Sequence, residues 1–243
     1  MLERTLEPEL TTDHEEARAY DEMDHVAVNS AFVADLISSG MLDGGPVDPE
    51  ADHSWILDVG TGTARIPIEL CQHTRACQIV ASDAASCMLE IAKLNVAIGQ
   101  CEHRIQLHHG DGKQLEFLAD LFDGVMCNSW LHHLPQPAIG LAEMWRVCKP
   151  GGWLFCRDLL RPDNLSIVEQ LVATVAANEP AGNQQLLRQS LQAALALDEV
   201  QSMVSALGIA AQAVQITSNR HWTLCTRKPS HDTPVSQCSN ILT

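Results

Sequence analysis

The sequence predicts an α/β fold built on a mostly parallel sheet, and three observations carry that prediction. The run Trp55-Ile-Leu-Asp58-Val-Gly60-Thr-Gly62-Thr-Ala64 reads as a buried strand passing through a glycine turn into a helix. Short apolar runs then alternate with amphipathic ones as far as residue 158, which implies parallel strands joined by helices on both faces. Finally, two strand-like runs joined at Asn219-Arg220 close the pattern as a hairpin.

Each element follows from local pattern. Residues 13–39 have helical spacing, with Tyr20, Met23, Ala27, Ala31, Val33 and Leu36 along one side and Gly40 at the end, so one leading helix is expected. The Gly/Pro/Asp-rich stretch from Asp43 to His53 is a loop. Strands are expected at 55–60, 78–83, 105–110, 122–128 and 152–158, and helices at 63–73, 85–98 and 136–148. Residues 163–207 are helical in pattern, broken near Glu179-Pro180-Ala-Gly182, and longer than a crossover helix requires; the surplus is expected to cover a substrate. Strands at 210–218 and 222–227 form the hairpin. Residues 1–228 are expected to form one domain, and the polar, aperiodic tail 229–243 to be disordered.

Composition narrows the function. The chain has 243 residues, 46% of them hydrophobic, and a net charge of −16. No window collects lysines and arginines, and binding of DNA or RNA depends on neutralising phosphates, so no nucleic-acid partner is expected. Nine cysteines (Cys71, Cys77, Cys87, Cys101, Cys127, Cys148, Cys156, Cys225 and Cys238) include no pair two or three residues apart, which favours reduced thiols over a disulfide or metal framework. With no apolar run of membrane-spanning length and an acidic N-terminus, a soluble cytoplasmic protein with no membrane segment is expected.

The glycine turn gains meaning from its neighbours. Gly60 and Gly62 let the backbone approach a ligand at a helix N-terminus. Asp58 ends the strand with a carboxylate that suits a cation rather than a pyrophosphate. Asp83 ends the next strand, where an acid can accept both hydroxyls of a ribose. Asp111 ends the third strand, placed to accept from an adenine amino group. A dehydrogenase is disfavoured: the third glycine of a dinucleotide turn is replaced by Arg65, and the single tyrosine, Tyr20, is followed four residues on by Asp24 rather than lysine.

With these residues the chain resembles the class I S-adenosylmethionine-dependent methyltransferases. Asp58-x-Gly60-x-Gly62-x-Ala64 is similar to their first motif and Asp83 to their ribose-binding acid. Asp111-Gly112 is similar to the adenine-edge pair, Phe122–Asn128 to the fourth strand, and Lys149-Pro-Gly-Gly152 to the turn into strand five. The resemblance implies a Rossmann-like, seven-stranded sheet with a terminal antiparallel hairpin strand, a helical N-terminal lid and a helical insert. It implies S-adenosylmethionine as cofactor, held by Asp58, Gly60, Gly62, Asp83, Ala84, Met88, Asp111, Gly112 and Asn128. Tyr20 and Met23 of the leading helix either close over the cofactor or pack that helix on the sheet.

Ligands of such a sheet lie beyond the carboxyl ends of its strands. After strand four comes Asn128-Ser-Trp130-Leu-His132-His133-Leu-Pro135, which lacks the Asn-Pro-Pro-aromatic signature of DNA adenine methyltransferases and looks like the turn of the ubiquinone and menaquinone methyltransferases. His132 or His133 is a candidate general base or a structural cap. Arg157-Asp158-Leu-Leu-Arg161 after strand five is either an internal salt-bridge network or a grip on a substrate carboxylate or phosphate. Arg220 and His221 at the hairpin either face the same pocket or lie on the surface. No metal is expected, because no acidic triplet is visible at this edge. The reading is methyl transfer to a small polar or anionic metabolite. A protein or RNA methyltransferase with a partner, and a silent cofactor binder, remain as alternatives.

Overall fold

The computed structural model describes residues 2–7, 13–23, 25–48, 50–75 and 77–230. Seven strands form one sheet: β1 (Ser54–Val59), β2 (Cys77–Asp83), β3 (Ile105–His109), β4 (Phe122–Asn128), β5 (Cys148–Leu159), β6 (Val214–Ser218) and β7 (His221–Arg227). Their order is β3-β2-β1-β4-β5-β7-β6. The first five pair parallel, while β7 lies antiparallel between β5 and β6. The order reverses between β1 and β4, and a crevice opens there at the carboxyl ends of the strands.

The central strands are largely apolar because helices cover both faces. β4 is buried from Phe122 to Cys127, and only Asn128, at its carboxyl end, is partly exposed. On one face, Leu57, Val125, Leu141, Met144, Leu154 and Trp222 pack with α5 (Pro137–Val147) and α8 (Leu197–Ala206). On the other, Ile56, Ile79, Met126 and Phe155 meet α2 (Val26–Ser38) and α3 (Arg65–His73), with α4 (Ser86–Ile98) beside them. The eight cysteines among the described residues form no disulfide, and six of them are buried. No helix among the described residues is long and apolar enough to cross a membrane.

Three expectations need correction. The leading helix is two, α1 (His14–Glu22) and α2, because Met23 is extended (ψ 145°). The apolar stripe also shifts: Phe32, Val33 and Leu36 are buried, whereas Ala27 and Ala31 are exposed. The region 163–207 holds three helices, α6 (Leu165–Val175), α7 (Ala181–Ala193) and α8. Its first break falls at Pro180 as expected; the second lies at Ala194–Ala196, where Leu195 bridges to Leu160 beyond β5. The expected strand 210–218 begins only at Val214, after a 3₁₀ turn at Ala211–Ala213. The expectation for the tail concerns residues that, from 231 on, lie outside those described.

One segment without periodicity is nonetheless anchored. Arg4 donates to the carbonyls of Ala193, His132 and Leu134 at 2.7, 3.0 and 2.9 Å, and the Thr5 amide donates to Gln192. Residues 2–7 are thereby held across the helical insert and the turn after β4.

Phe32 is fully buried and meets Phe155 edge to face at 5.1 Å, so it fixes α2 to the sheet. Phe32→Ala is expected to cost about 3–5 kcal/mol in urea unfolding. A loss under about 1 kcal/mol would show that α2 is not docked as described.

Candidate active site

The cradle is built from three left-handed backbone positions after β1: Gly60 (φ 71°), Gly62 (φ 56°) and Ala64 (φ 61°). Asp83 ties this turn to β2, its two oxygens accepting from the amides of Gly62 and Ala85 at 2.8 Å each. The amides of Gly60 and Thr61 donate to the Ser82 carbonyl. Burial raises the Asp83 carboxyl above its ordinary range, although the Ala85, Gly62 and Ala84 amides oppose the shift.

A cavity of about 240 Å³ lies over the turn. Of the predicted cofactor residues it is lined by Tyr20, Met23, Asp58, Gly60, Gly62 and Asn128. Asp58 is buried, and desolvation, helped by the Asp83 charge and opposed by Thr61, pushes its carboxyl up to about 7. Asn128 Oδ1 is buried with no hydrogen-bond partner. The end of α1 is latched over the turn by Asp21, which accepts from Arg65 through two bonds (3.0 and 2.7 Å) and from Asn95 (3.0 Å). Sequence reasoning gave Asp21 no role; Arg65, noted only as a missing glycine, was the available signal.

Asp83, Ala84, Met88, Asp111 and Gly112 do not line this cavity. Asp111 is exposed and bonded to the Lys113 amide, and Gly112 is a packing position. A Cβ at Gly60, Gly112 or Gly140 would come within 2.5–2.7 Å of the Trp130 indole, so one ring fills the space between the glycine turn and the Asp111-Gly112 turn. Trp130 was assigned no role from sequence.

A second group of charges lies at the carboxyl ends of β4 and β5. Of the two alternatives for Arg157, Asp158 and Arg161, the structure shows ion pairs, but with partners from other elements. Arg157, buried, donates to Asp35 of α2 at 2.5 Å and to Thr223 at 3.0 Å. Arg161, also buried, pairs with Glu199 of α8 at 2.6 Å. Asp158 instead meets His132 Nδ1 at 2.5 Å and accepts from the His132 and Leu159 amides. Glu7, of the N-terminal segment, places Oε1 3.2 Å from His132 Nε2 and 3.1 Å from His133 Nδ1. Burial disfavours these charges, yet their mutual attraction prevails: His132 is raised to about 9 and Glu7 lowered to about 2. Asp35, Glu199 and Glu7 come from elements remote in sequence, so no local pattern pointed to them.

At the hairpin, His221 sits opposite Leu159 in the β5–β7 pairing and bonds Ser218 through Nδ1 at 2.9 Å. Arg220 is half-buried, which lowers its guanidinium, and it has no carboxylate partner among the described residues. Of the three predicted arginines it alone lacks one.

Residues 56–152 match the family model of a methyltransferase domain. A demethylmenaquinone methyltransferase of Deinococcus radiodurans is 36% identical over 107 residues, 44% of either chain. Another, of Lactiplantibacillus plantarum, is 32% identical over 114 residues, 46% of this chain and 48% of that one. The matched region thus spans about half the length of these curated relatives. Among solved structures, a proposed S-adenosyl-L-methionine-dependent methyltransferase of Methanococcus maripaludis superposes with a TM-score of 0.67 at 19% identity, covering 95% of this chain and 99% of that one. The [4+2]-cyclase SpnF superposes at 0.57 with 16% identity, covering 93% and 100%. The fold is the one these solved structures share, and residues 56–152 match a methyltransferase domain.

His221 gives a pH prediction. Burial, then the Arg220 and Arg157 charges and that of His132, lower it to about 4 against the opposing Asp158. An unfolded histidine near 6.5 takes up protons that the folded one refuses, so stability is lost as pH falls from about 6.5 toward 4, by up to about 3 kcal/mol. Urea unfolding of His221→Gln should show less of this loss than the parent chain. Identical pH profiles would refute the assignment.

Proposed function

We propose that residues 1–228 act as one unit that transfers the methyl group of S-adenosylmethionine to a small acceptor by in-line displacement. The carrying observation is the cavity over the glycine turn, where Asn128 Oδ1 is buried without a partner and Asp58 presents a buried carboxylate. Two acceptors without a cation between them fit the ammonium end of an amino-acid-like cofactor. Asp83, already oriented by two amides, has lone pairs left for ribose hydroxyls. Ala84, Met88 and the Asp111-Gly112 turn would border the adenine, and Tyr20 and Met23 would close the cavity from α1. The cofactor supplies an activated sulfonium methyl; the protein positions it and excludes water.

Positioning, rather than proton removal, is the work proposed for this site. His132 is bonded to Asp158 through Nδ1, and its Nε2 and His133 Nδ1 both face the Glu7 carboxylate, so neither is offered as a general base. Orientation alone can supply effective molarities of about 10⁵ M or more, against roughly 10²–10⁴ in rate from a base. An acceptor that is already nucleophilic meets this requirement. A relative of similar reach, in Geotalea daltonii, is named a ubiquinone/menaquinone biosynthesis C-methyltransferase. We favour an electron-rich ring carbon activated by an ionised ring hydroxyl, with Arg220 holding the negative oxygen: the carbon–methyl bond forms as the sulfonium C–S bond breaks, S-adenosylhomocysteine leaves neutral, and the hydrogen on that ring carbon is lost to water as a proton when the ring regains its aromaticity. A metabolite carboxylate or phosphate at Arg220 is the second form of this reading. Arg157 and Arg161 would support the pocket wall through Asp35 and Glu199, and His221 would border it as a neutral group.

Calorimetric titration with S-adenosylmethionine, with NAD as control, tests the cofactor. Asp83→Ala should weaken binding roughly ten- to a hundred-fold. Unchanged affinity would misplace the ribose. Because a cation prefers ionised Asp58, affinity should rise with pH through about 7, and Asp58→Asn should remove that rise. Methyl transfer itself is tested by following labelled methyl into hydroquinone and carboxylate acceptors. Cofactor binding with no labelled product from any acceptor would sink the transferase reading, and an Arg220→Ala variant with unchanged KM would sink the assignment of Arg220.

A further inference from the structure

We propose that Glu7, His132 and His133 form a binding site for one divalent transition-metal ion of the zinc class, with Asp158 supporting His132 from behind. This goes beyond the methyl-transfer reading and does not rest on it.

Geometry carries the proposal. One ligand atom from each residue lies within 4.8 Å of the others. Glu7 Oε1 stands 3.2 Å from His132 Nε2 and 3.1 Å from His133 Nδ1. Zinc held at about 2.0–2.1 Å by nitrogen and oxygen in a tetrahedron has donor atoms roughly 3.3 Å apart along each edge, close to these separations. Hydrogen bonds at such distances need the ring N–H aimed at the oxygen. That aim is missing: Glu7 Oε1 and His133 Nδ1 are both buried without a hydrogen-bond partner. Three ligand atoms within 4.8 Å of one another can all be reached by a single ion.

The surroundings fit a built site. The Glu7 side chain is 92% buried by its 8% exposure and His132 retains 3%, so neither is a casual surface group. Ser190 donates to the other Glu7 oxygen at 3.1 Å, and the bonds of Arg4 and Thr5 fix the segment that carries Glu7. Asp158 at 2.5 Å from Nδ1 sets the tautomer that leaves Nε2 as ligand, the carboxylate–histidine arrangement found behind metal ions. Two imidazoles and a carboxylate suit zinc, cobalt or nickel, whereas magnesium and calcium prefer oxygen throughout. Three protein ligands leave a fourth position for water or an acceptor oxygen, and His133, one-third exposed, marks its open side.

The test is titration of the chelator-treated full chain with zinc by calorimetry and with cobalt by visible absorption. One equivalent should bind, and cobalt should show d–d bands without a thiolate charge-transfer band, which separates this site from the cysteines. Glu7→Gln and His133→Ala should each lose at least about 100-fold in affinity, and Asp158→Asn about 10- to 100-fold. Thermal unfolding would confirm that each variant is folded, and S-adenosylmethionine titration of the same samples keeps the cofactor reading separate. Absence of saturable binding by the parent chain, a thiolate band, or folded Glu7 and His133 variants that bind as tightly as the parent would each overturn the proposal.

Discussion

The cost of burying charge at the carboxyl edge of the sheet is the constraint on which the rest of this structure depends. Arg157, Asp158 and Arg161 leave β5 within five residues, and all three are buried. Each is neutralised by a group from a peripheral element: Asp35 of α2, His132 of the turn after β4 with Glu7 behind it, and Glu199 of α8. The pairs are asymmetric. Arg157 and Arg161 keep 6% and 5% of their side chains exposed, whereas Asp35 and Glu199 keep 54% and 41%. The guanidiniums have lost water and the carboxylates have not, so removing either acid strands a desolvated cation, a change that typically costs about 3–5 kcal/mol. Helices α2 and α8 and the N-terminal segment are thereby held to the carboxyl edge of the sheet by charge as well as by apolar packing.

That arrangement explains what was legible in the sequence. The cradle from Asp58 to Ala64, the strand-ending Asp83 and the parallel core are encoded by neighbouring residues, so turn chemistry and periodicity reveal them. The charged clusters were also visible as clusters, because Arg157-Asp158 and His132-His133 are adjacent in the chain. Their pairing was not. Asp158 lies one residue from Arg157, but successive residues of a strand point to opposite faces. Asp158 therefore meets His132 on one side while Arg157 reaches Asp35 on the other, and adjacency in sequence misled. The break at Met23 was hidden for a related reason: apolar spacing continues on both sides of it, and the extended backbone there leaves the composition unchanged.

Trp130 shows how one side chain can govern a crevice. Its indole touches the positions of Gly60 after β1, Gly112 after β3 and Gly140 in α5, three turns of chain that meet only at the switch point of the sheet. A Cβ at any of the three would intrude on the ring, so their small size and the ring's bulk are matched. The consequence is a cavity reached from α1 and the glycine turn, with the Asp111-Gly112 turn on the other side of the indole. A ligand held by Asp58, Asn128 and Asp83 can touch Asp111 only around the rim of that ring, or after the ring turns aside.

The same edge therefore separates two tasks. Backbone geometry at Gly60, Gly62 and Ala64, locked by Asp83, shapes the proposed cofactor side, and it lies in the part of the chain that the methyltransferase domain model matches. The proposed acceptor side draws on α8, the hairpin and residues 2–7, all outside that matched stretch. A shared sheet can hold one cofactor while the peripheral elements choose the acceptor, because the cradle is bonded to itself and needs none of them. In this chain Arg220 has no carboxylate partner among the described residues, and residues 2–7 bring Glu7 beside His132 and His133. Differences of substrate and chemistry within the fold are expected to lie there rather than in the glycine turn.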